Sequence, residues 1–204
     1  MKRLISLGYD PGTTKRSPST WVLADHSGIR PRIIDYGDIW LEGKDLSDFI
    51  EELEQAAHRI ASHGPVSIAV IENQYFGKIK KKAKVKIGAN GPVKSSESGY
   101  ILSSVAKLIA CRGYIVSSIL RIVRPEQIIL PYPAEWWKVG IPCNHARNRS
   151  ESKAISCASF EMHYGFTKET APKGYNVGKN DNLADAANMS VYGASIFRYK
   201  TATQ

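Results

Sequence analysis

Cysteine is scarce in this chain, histidine falls in no ligand pattern, and long apolar runs are missing. Of 204 residues only three are cysteine. Cys111, Cys143 and Cys157 form no CxxC pair and leave an odd count, which excludes a cysteine-built zinc site and a disulfide-stapled scaffold. His26, His58, His63, His145 and His163 match neither HxxxH nor HExxH, so the usual helical zinc signatures are absent too. No apolar stretch approaches the roughly 20 residues that span a bilayer. Met1-Lys2-Arg3-Leu4 opens no cleavable apolar leader, which points to a cytoplasmic protein with no membrane partner. Acids are also short: 19 Asp and Glu against 28 Lys and Arg leave a net charge of +9. Such a surface attracts polyanions, nucleic acid first among them. The length suits a single globular domain.

Hydrophobic periodicity sets out an alternating order. Residues 2–9 are an apolar run that stops at the turn Asp10-Pro11-Gly12-Thr13-Thr14, a buried strand with an acid at its tip. β-rich runs at 19–25 and 32–40, split by His26-Ser27-Gly28, complete a three-stranded meander. Leu46, Phe49, Ile50, Leu53, Ala56, Ala57 and Ile60 recur at helical spacing, closed near Gly64. Residues 66–71 form a compact strand that delivers Glu72 at its C-terminal end. The basic, glycine-bearing stretch 77–98 has no helical period and reads as a mobile loop or a β-ribbon. A helical pattern returns over 96–112 with Gly113 as its stop, and 114–123 reads as another strand. A connector punctuated by Pro125, Pro131, Pro133 and Pro142 follows. Residues 151–163 predict a helix N-capped by Ser150, 164–180 a loop, and 182–198 a final helix. The expected fold is α/β: one mixed five-stranded sheet with helices on both faces, in a single domain over residues 1–204.

Four acids stand out. Asp10 and Glu72 end two strands, while Asp181 and Asp185, four apart at the start of the last helix, share one helical face. Each alone has an ordinary explanation in turn chemistry or in the helix dipole. Gathered together they repel unless a cation offsets them, and hard oxygen donors without His or Cys partners suit Mg²⁺ or Mn²⁺. Two such ions, roughly 3.5–4 Å apart, activate water and stabilise the leaving oxygen in phosphodiester cleavage. Lys78, Lys80, Lys81, Lys82, Lys84 and Lys86 are packed closely enough to repel one another until a polyanion arrives. As phosphate contacts they give affinity and salt dependence without reading sequence. Arg147, Arg149 and Lys153 offer a second basic strip. Acids for metal beside lysines for phosphate form a nuclease pattern.

The segments Gly8-Tyr9-Asp10-Pro11-Gly12, Ile71-Glu72-Asn73-Gln74-Tyr75-Phe76 and Leu183-Ala184-Asp185-Ala186-Ala187 resemble, in the same chain order, the three acidic motifs of the RuvC family of Holliday junction resolvases. Phage-type members also carry a Pro-x-x-Trp-Lys element and a basic helix between the second and third motifs. Pro133-Ala134-Glu135-Trp136-Trp137-Lys138 and residues 147–153 resemble these, so the likeness spans nearly the whole chain. It implies an RNase H-like fold, a homodimer, and paired nicks in a four-way DNA junction that leave 5′-phosphate and 3′-hydroxyl ends. It further implies two Mg²⁺ or Mn²⁺ ions per active site and no nucleotide cofactor. Asp10, Glu72 and Asp185 are by resemblance the metal-binding acids. Where bacterial members place Asp or His three residues before the last acid, this chain has Asn182, with Asp181 four before. The fourth ligand is therefore Asp181 or Asn182, and an ionised carboxylate is the better donor. Tyr75 and Phe76 stand where the family places an aromatic that enters the junction centre, where it can stack on an unpaired base. The phage-type likeness implies a phage-encoded protein acting in a bacterial host.

Three other readings stay open on sequence grounds. Asp10-Pro11-Gly12-Thr13-Thr14 also resembles the phosphate loop of the actin-like ATPases and sugar kinases, which close two such domains over a nucleotide where 204 residues supply one. A nuclease of the same fold acting on other branched DNA or RNA:DNA hybrids is the nearest rival. A non-catalytic DNA-binding module would use the basic surface alone.

Overall fold

A computed structural model of the chain describes residues 3–13, 18–41, 45–73, 86–88, 91–93, 97–140, 149–166 and 181–203, with the backbone alone at 86–88, 91–93, 97–105, 140, 149 and 181. Strands β1 (Ile5–Asp10), β2 (Ser19–Asp25) and β3 (Arg32–Ile39) form an antiparallel meander. Helix α1 (Leu46–Ser62) follows, N-capped by Asp45, whose carboxylate accepts from the Asp48 amide at 3.0 Å. Strand β4 (Ile68–Ile71) then returns parallel to β1. The chain continues through a short ribbon of β5 (Lys86–Gly88) and β6 (Gly91–Val93), then α2 (Glu97–Ser118) and β7 (Gln127–Ile129). It ends with α3 (Pro133–Gly140), α4 (Arg149–Tyr164) and α5 (Asp181–Ala202). The main sheet has five strands in the order β3-β2-β1-β4-β7, mixed in direction, as the periodicity predicts.

Every residue of β1 is buried, and the period of two divides them between layers. Ile5, Leu7 and Tyr9 join Phe49, Leu53, Ala57 and Ile60 of α1 and Cys111 and Ile115 of α2 in one core. On the opposite face, Val22 and Ala24 of β2 pack with Cys157 and Phe160 of α4 and with Leu183, Ala184, Ala186 and Ala187 of α5. Val70 of β4 meets Trp136 of α3 and Met189 of α5 on that same side. Helix α5 lies very close to the sheet. A Cβ added at Gly8 would fall 1.9 Å from the Ala186 carbonyl oxygen, and one at Gly193 would fall 2.5 Å from Cγ2 of Val70. The Ser6 hydroxyl, on this face, donates to the Ser190 carbonyl at 2.8 Å.

Three expectations are corrected. Gly113 does not stop α2: the helix runs to Ser118 and on through a π-helical turn at Ile119–Val123, so 114–123 is helical and not a strand. Cys111, Ile115, Ile119 and Val123, four apart, bury one stripe in the core with α1. That burial outweighs both β-branched propensity and the roughly 1 kcal/mol cost of a helical glycine. The turn ends at Arg124, whose φ of 51° is left-handed, and Pro125 follows. The fifth strand is β7 instead, between Pro125 and Pro131. The proline-punctuated connector holds α3, with Pro133 as its first residue, a position where the missing N–H costs nothing. Ser150 lies inside α4 rather than at its cap. Of the two readings for 77–98, the described part is a ribbon. Among the described residues no helix is long and apolar enough to cross a membrane.

Because backbone atoms of α5 occupy the space beside Gly8, a methyl group there can be relieved only by moving the helix. Gly8→Ala is expected to lower stability by about 3 kcal/mol or more. Urea denaturation checks this, and parental stability would show that α5 can shift freely.

Candidate active site

Strand register brings the first two acids together. The β1–β4 ladder pairs Ser6 with Ile68 and Tyr9 with Ile71, so its next step sets Asp10 beside Glu72. The Glu72 amide donates to the Tyr9 carbonyl at 3.1 Å, continuing the ladder past the end of β4. Adjacent strands lie about 4.8 Å apart, and the period of two puts Asp10 on the face of Gly8 and Glu72 on the face of Val70. Both are the α5 face. Asp185 precedes Ala186, the residue whose carbonyl abuts Gly8, and Gly8 lies two residues before Asp10. The register thus sets Asp10 and Glu72 side by side at the C-terminal end of adjacent parallel strands, with Asp185 one residue before the α5 carbonyl that abuts β1.

Neutral donors hold two of them. The indole Nε1 of Trp136, on α3, donates to Oε1 of Glu72 at 3.0 Å. Burial pushes the Glu72 carboxyl above the usual glutamate range, and the Trp136 hydrogen bond offsets this only in part. The Ser156 hydroxyl, on α4, donates to Oδ1 of Asp185. Asp10 is 9% exposed. Its row continues across the sheet, since Asp10 pairs with Thr20 and Thr20 with Asp38. The Thr20 hydroxyl donates to Asp38 at 2.5 Å, while burial raises the Asp38 carboxyl. Around the end of the sheet, Cys111 of α2 contacts the Gly12 carbonyl at 3.7 Å, and Arg112 donates to the Asn73 side chain. Helix α2 therefore touches both acid-bearing loops.

The remaining sequence-derived candidates are placed unevenly. Asp181 opens α5, with its side chain outside the described residues, and Asn182 is partly exposed one position on. Lys153 is partly exposed on α4, three residues before Ser156. Lys86 and Arg149 fall on β5 and at the start of α4, with their side chains outside the described residues. Tyr75, Phe76, Lys78, Lys80, Lys81, Lys82, Lys84 and Arg147 lie outside them altogether. Among the described residues, no group of three His, Cys, Asp or Glu stands ready to hold a metal ion. The chemistry of the candidate donors, carboxylate oxygens with no sulfur or imidazole, is that which a hard divalent cation takes.

Trp136, Ser156, Asn188 and Thr20 were not predicted as functional. Their signal in the sequence is faint: Ser156 and Asn188 are polar residues within apolar helical stripes, positions that demand a hydrogen-bond partner.

A five-stranded mixed sheet with this strand order and helices on both faces is an RNase H-like fold. Within it, the chain has a RuvC-like fold. It is similar to Thermus thermophilus RuvC in complex with a Holliday junction substrate, with a TM-score of 0.61, 12% identity, and coverage of 98% of this chain and 97% of that one. A second T. thermophilus RuvC structure gives a TM-score of 0.59 at 12% identity, covering 98% of each chain. No protein-family model matches the sequence, and no curated protein matches it significantly. At this identity the likeness is one of fold.

Trp136→Phe keeps an aromatic ring, though a smaller one, and removes the donor to the Glu72 carboxylate. It is expected to cost about 1.5–3 kcal/mol in urea denaturation at neutral pH. Unchanged stability would show that the indole does not hold Glu72.

Proposed function

We propose that the chain is a metal-dependent endodeoxyribonuclease that resolves four-way DNA junctions by paired nicks. The observation that carries this reading is the β1–β4 register that sets Asp10 beside Glu72 within a RuvC-like fold, with α5, which bears Asp185, packed against the same strands. Support comes from the RuvC-like fold, from a neighbour solved with a Holliday junction, and from the charge of +9. In this reading Asp10, Glu72 and Asp185, with Asp181 or Asn182, hold two Mg²⁺ or Mn²⁺ ions. Bound there, the ions would supply an activated water and charge stabilisation at the scissile phosphate.

The chain's own groups do the positioning. Trp136 fixes one oxygen of Glu72 and Ser156 one oxygen of Asp185, which sets the orientation of each carboxylate. Burial of Asp10 lowers the local dielectric and strengthens its attraction for a cation. Lys78, Lys80, Lys81, Lys82, Lys84 and Lys86, with Arg147, Arg149 and Lys153, contact phosphates, which makes binding steeply salt-dependent. Tyr75 and Phe76 stack on bases at the junction centre. Two opposed nicks require two sites, hence a homodimer, working in the cytoplasm of a bacterial host.

The test compares a synthetic four-way junction, a flap, an RNA:DNA hybrid and a linear duplex in Mg²⁺. Paired symmetric cuts with 5′-phosphate ends on the junction, abolished by EDTA, are expected. Asp10→Asn should slow cutting by about a hundredfold or more with junction binding nearly intact. Preferential cutting of flap or hybrid would reassign the substrate, and binding without cleavage would make the chain a DNA-binding module.

A further inference from the structure

We propose that the chain carries a phosphate-binding pocket at the end of the sheet opposite the acids, formed by Arg30 and Arg198 with His163 alongside. The proposal stands apart from the nuclease reading, because it needs neither Asp10 nor any metal ion.

The pocket lies where three segments meet: the turn after β2, the last turn of α4 and the outer turns of α5. The His26 amide donates to the Leu4 carbonyl at 2.8 Å, which fixes that turn at the start of β1. Asp10 closes the same strand, so roughly 20 Å of extended chain separates the pocket from the acids. The hollow has a volume of about 260 Å³, and among the described residues no Asp or Glu lines it. The acid next to it in sequence, Asp25, is held by Arg3 at 2.7 Å and accepts from the Ser27 amide at 2.9 Å.

Both guanidinium groups are seated by the fold. Gly165 follows α4 with a φ of 69°, and a Cβ there would strike the Arg30 guanidinium, so the bare glycine lets Arg30 lie across the helix end. Arg198 of α5 donates to the His26 carbonyl. Among the described residues neither guanidinium is ion-paired. Their field is felt inside the protein. Burial, and after it the Arg198 charge, hold the His26 imidazole down at about 4; His163 adds to them and Asp25 opposes. His26 is thus neutral at pH 7, with Nε2 bonded to the Ser190 hydroxyl at 3.0 Å, and the charge of the pocket comes from its arginines.

Like charges around a hollow that holds no acid repel, and a bound anion relieves them. Guanidinium forks bind phosphate through paired N–H···O bonds. Donors from three segments suit a tetrahedral group, which offers oxygens on every side, better than a flat carboxylate. Pockets for drug-sized ligands run from roughly 300 to 1,000 Å³, so this smaller one takes a single phosphate group and not a whole nucleotide. That group is inorganic phosphate or one phosphate of a nucleic-acid backbone.

Inorganic phosphate is titrated at constant ionic strength into the parent, Arg30→Ala and Lys107→Ala, followed by calorimetry and thermal melting. Lys107 is exposed on α2 and controls for diffuse attraction to a surface of charge +9. Each melting shift is read against the same variant without phosphate, so a lost contact with the end of α4 does not count. Phosphate should stabilise the parent and the control alike, and Arg30→Ala should bind it about tenfold more weakly. Binding of a four-way junction over a range of salt then names the source. A backbone phosphate requires Arg30→Ala to weaken junction binding and to lower the salt slope by about one; parental junction binding beside weakened phosphate binding assigns inorganic phosphate. A parent that binds no phosphate, an Arg30→Ala that binds it like the parent, or an equal loss in Lys107→Ala overturns the pocket. Should Arg30→Ala fail to fold, parental phosphate affinity in Arg30→Gln overturns it equally. A chain that cuts no junction overturns the nuclease reading and leaves the phosphate titration as decisive as before.

Discussion

Gly8 has no side chain, and the carbonyl oxygen of Ala186 occupies the space one would fill. That contact fixes how far α5 stands from the sheet and where along β1 it crosses. Gly193 repeats the arrangement against Val70 of β4, and the Ser6 hydroxyl ties the helix to β1 between them. With the helix backbone seated directly on two central strands, a residue next to Ala186 is placed near the strand ends by covalent geometry alone. Asp185 is that residue. The placement of Asp185 is thus a consequence of close helix–sheet packing, which small side chains permit and larger ones would prevent.

Electrostatics gives Glu72 a different character from the ion-paired carboxylates. Three carboxylates are matched with cations: Asp25 with Arg3 at 2.7 Å, Asp35 with Arg59 and with His63 at 2.9 Å, Glu54 with Arg121. Burial alone would raise the Asp35 carboxyl, but the hydrogen bonds from Arg59 and His63 prevail and hold it below the usual range. At Glu72 burial prevails, because its hydrogen-bond donor is a neutral indole. A carboxylate anchored by a neutral group keeps its charge available to a cation, whereas an arginine would neutralise it.

Much of this was readable before any coordinates. The apolar runs ending in Asp10 and Glu72 report strands whose tips carry acids, since period-two burial and a turn signal both lie in local sequence. Helix α1 and four of the five strands of the mixed sheet were legible for the same reason. The stretch 114–123 was not, because its β-branched residues favour a strand locally while the stripe Cys111, Ile115, Ile119 and Val123 is satisfied only by the shared core with α1. Helix α3 hid among prolines that look like linker until one of them is seen as a first helical residue. Trp136, Ser156 and Asn188 act through hydrogen bonds between elements distant in sequence, 64 residues from Trp136 to Glu72 and 32 from Ser156 to Asn188, and no spacing rule reaches that far.

The central claim is that Asp10, Glu72 and Asp185 form one cation site. Its most direct test is a crystal structure grown with Mn²⁺ and measured at the manganese absorption edge. The expected result is anomalous density in direct contact with carboxylate oxygens of all three residues. Manganese bound elsewhere, or no manganese while the three carboxylates stay apart, would contradict the claim.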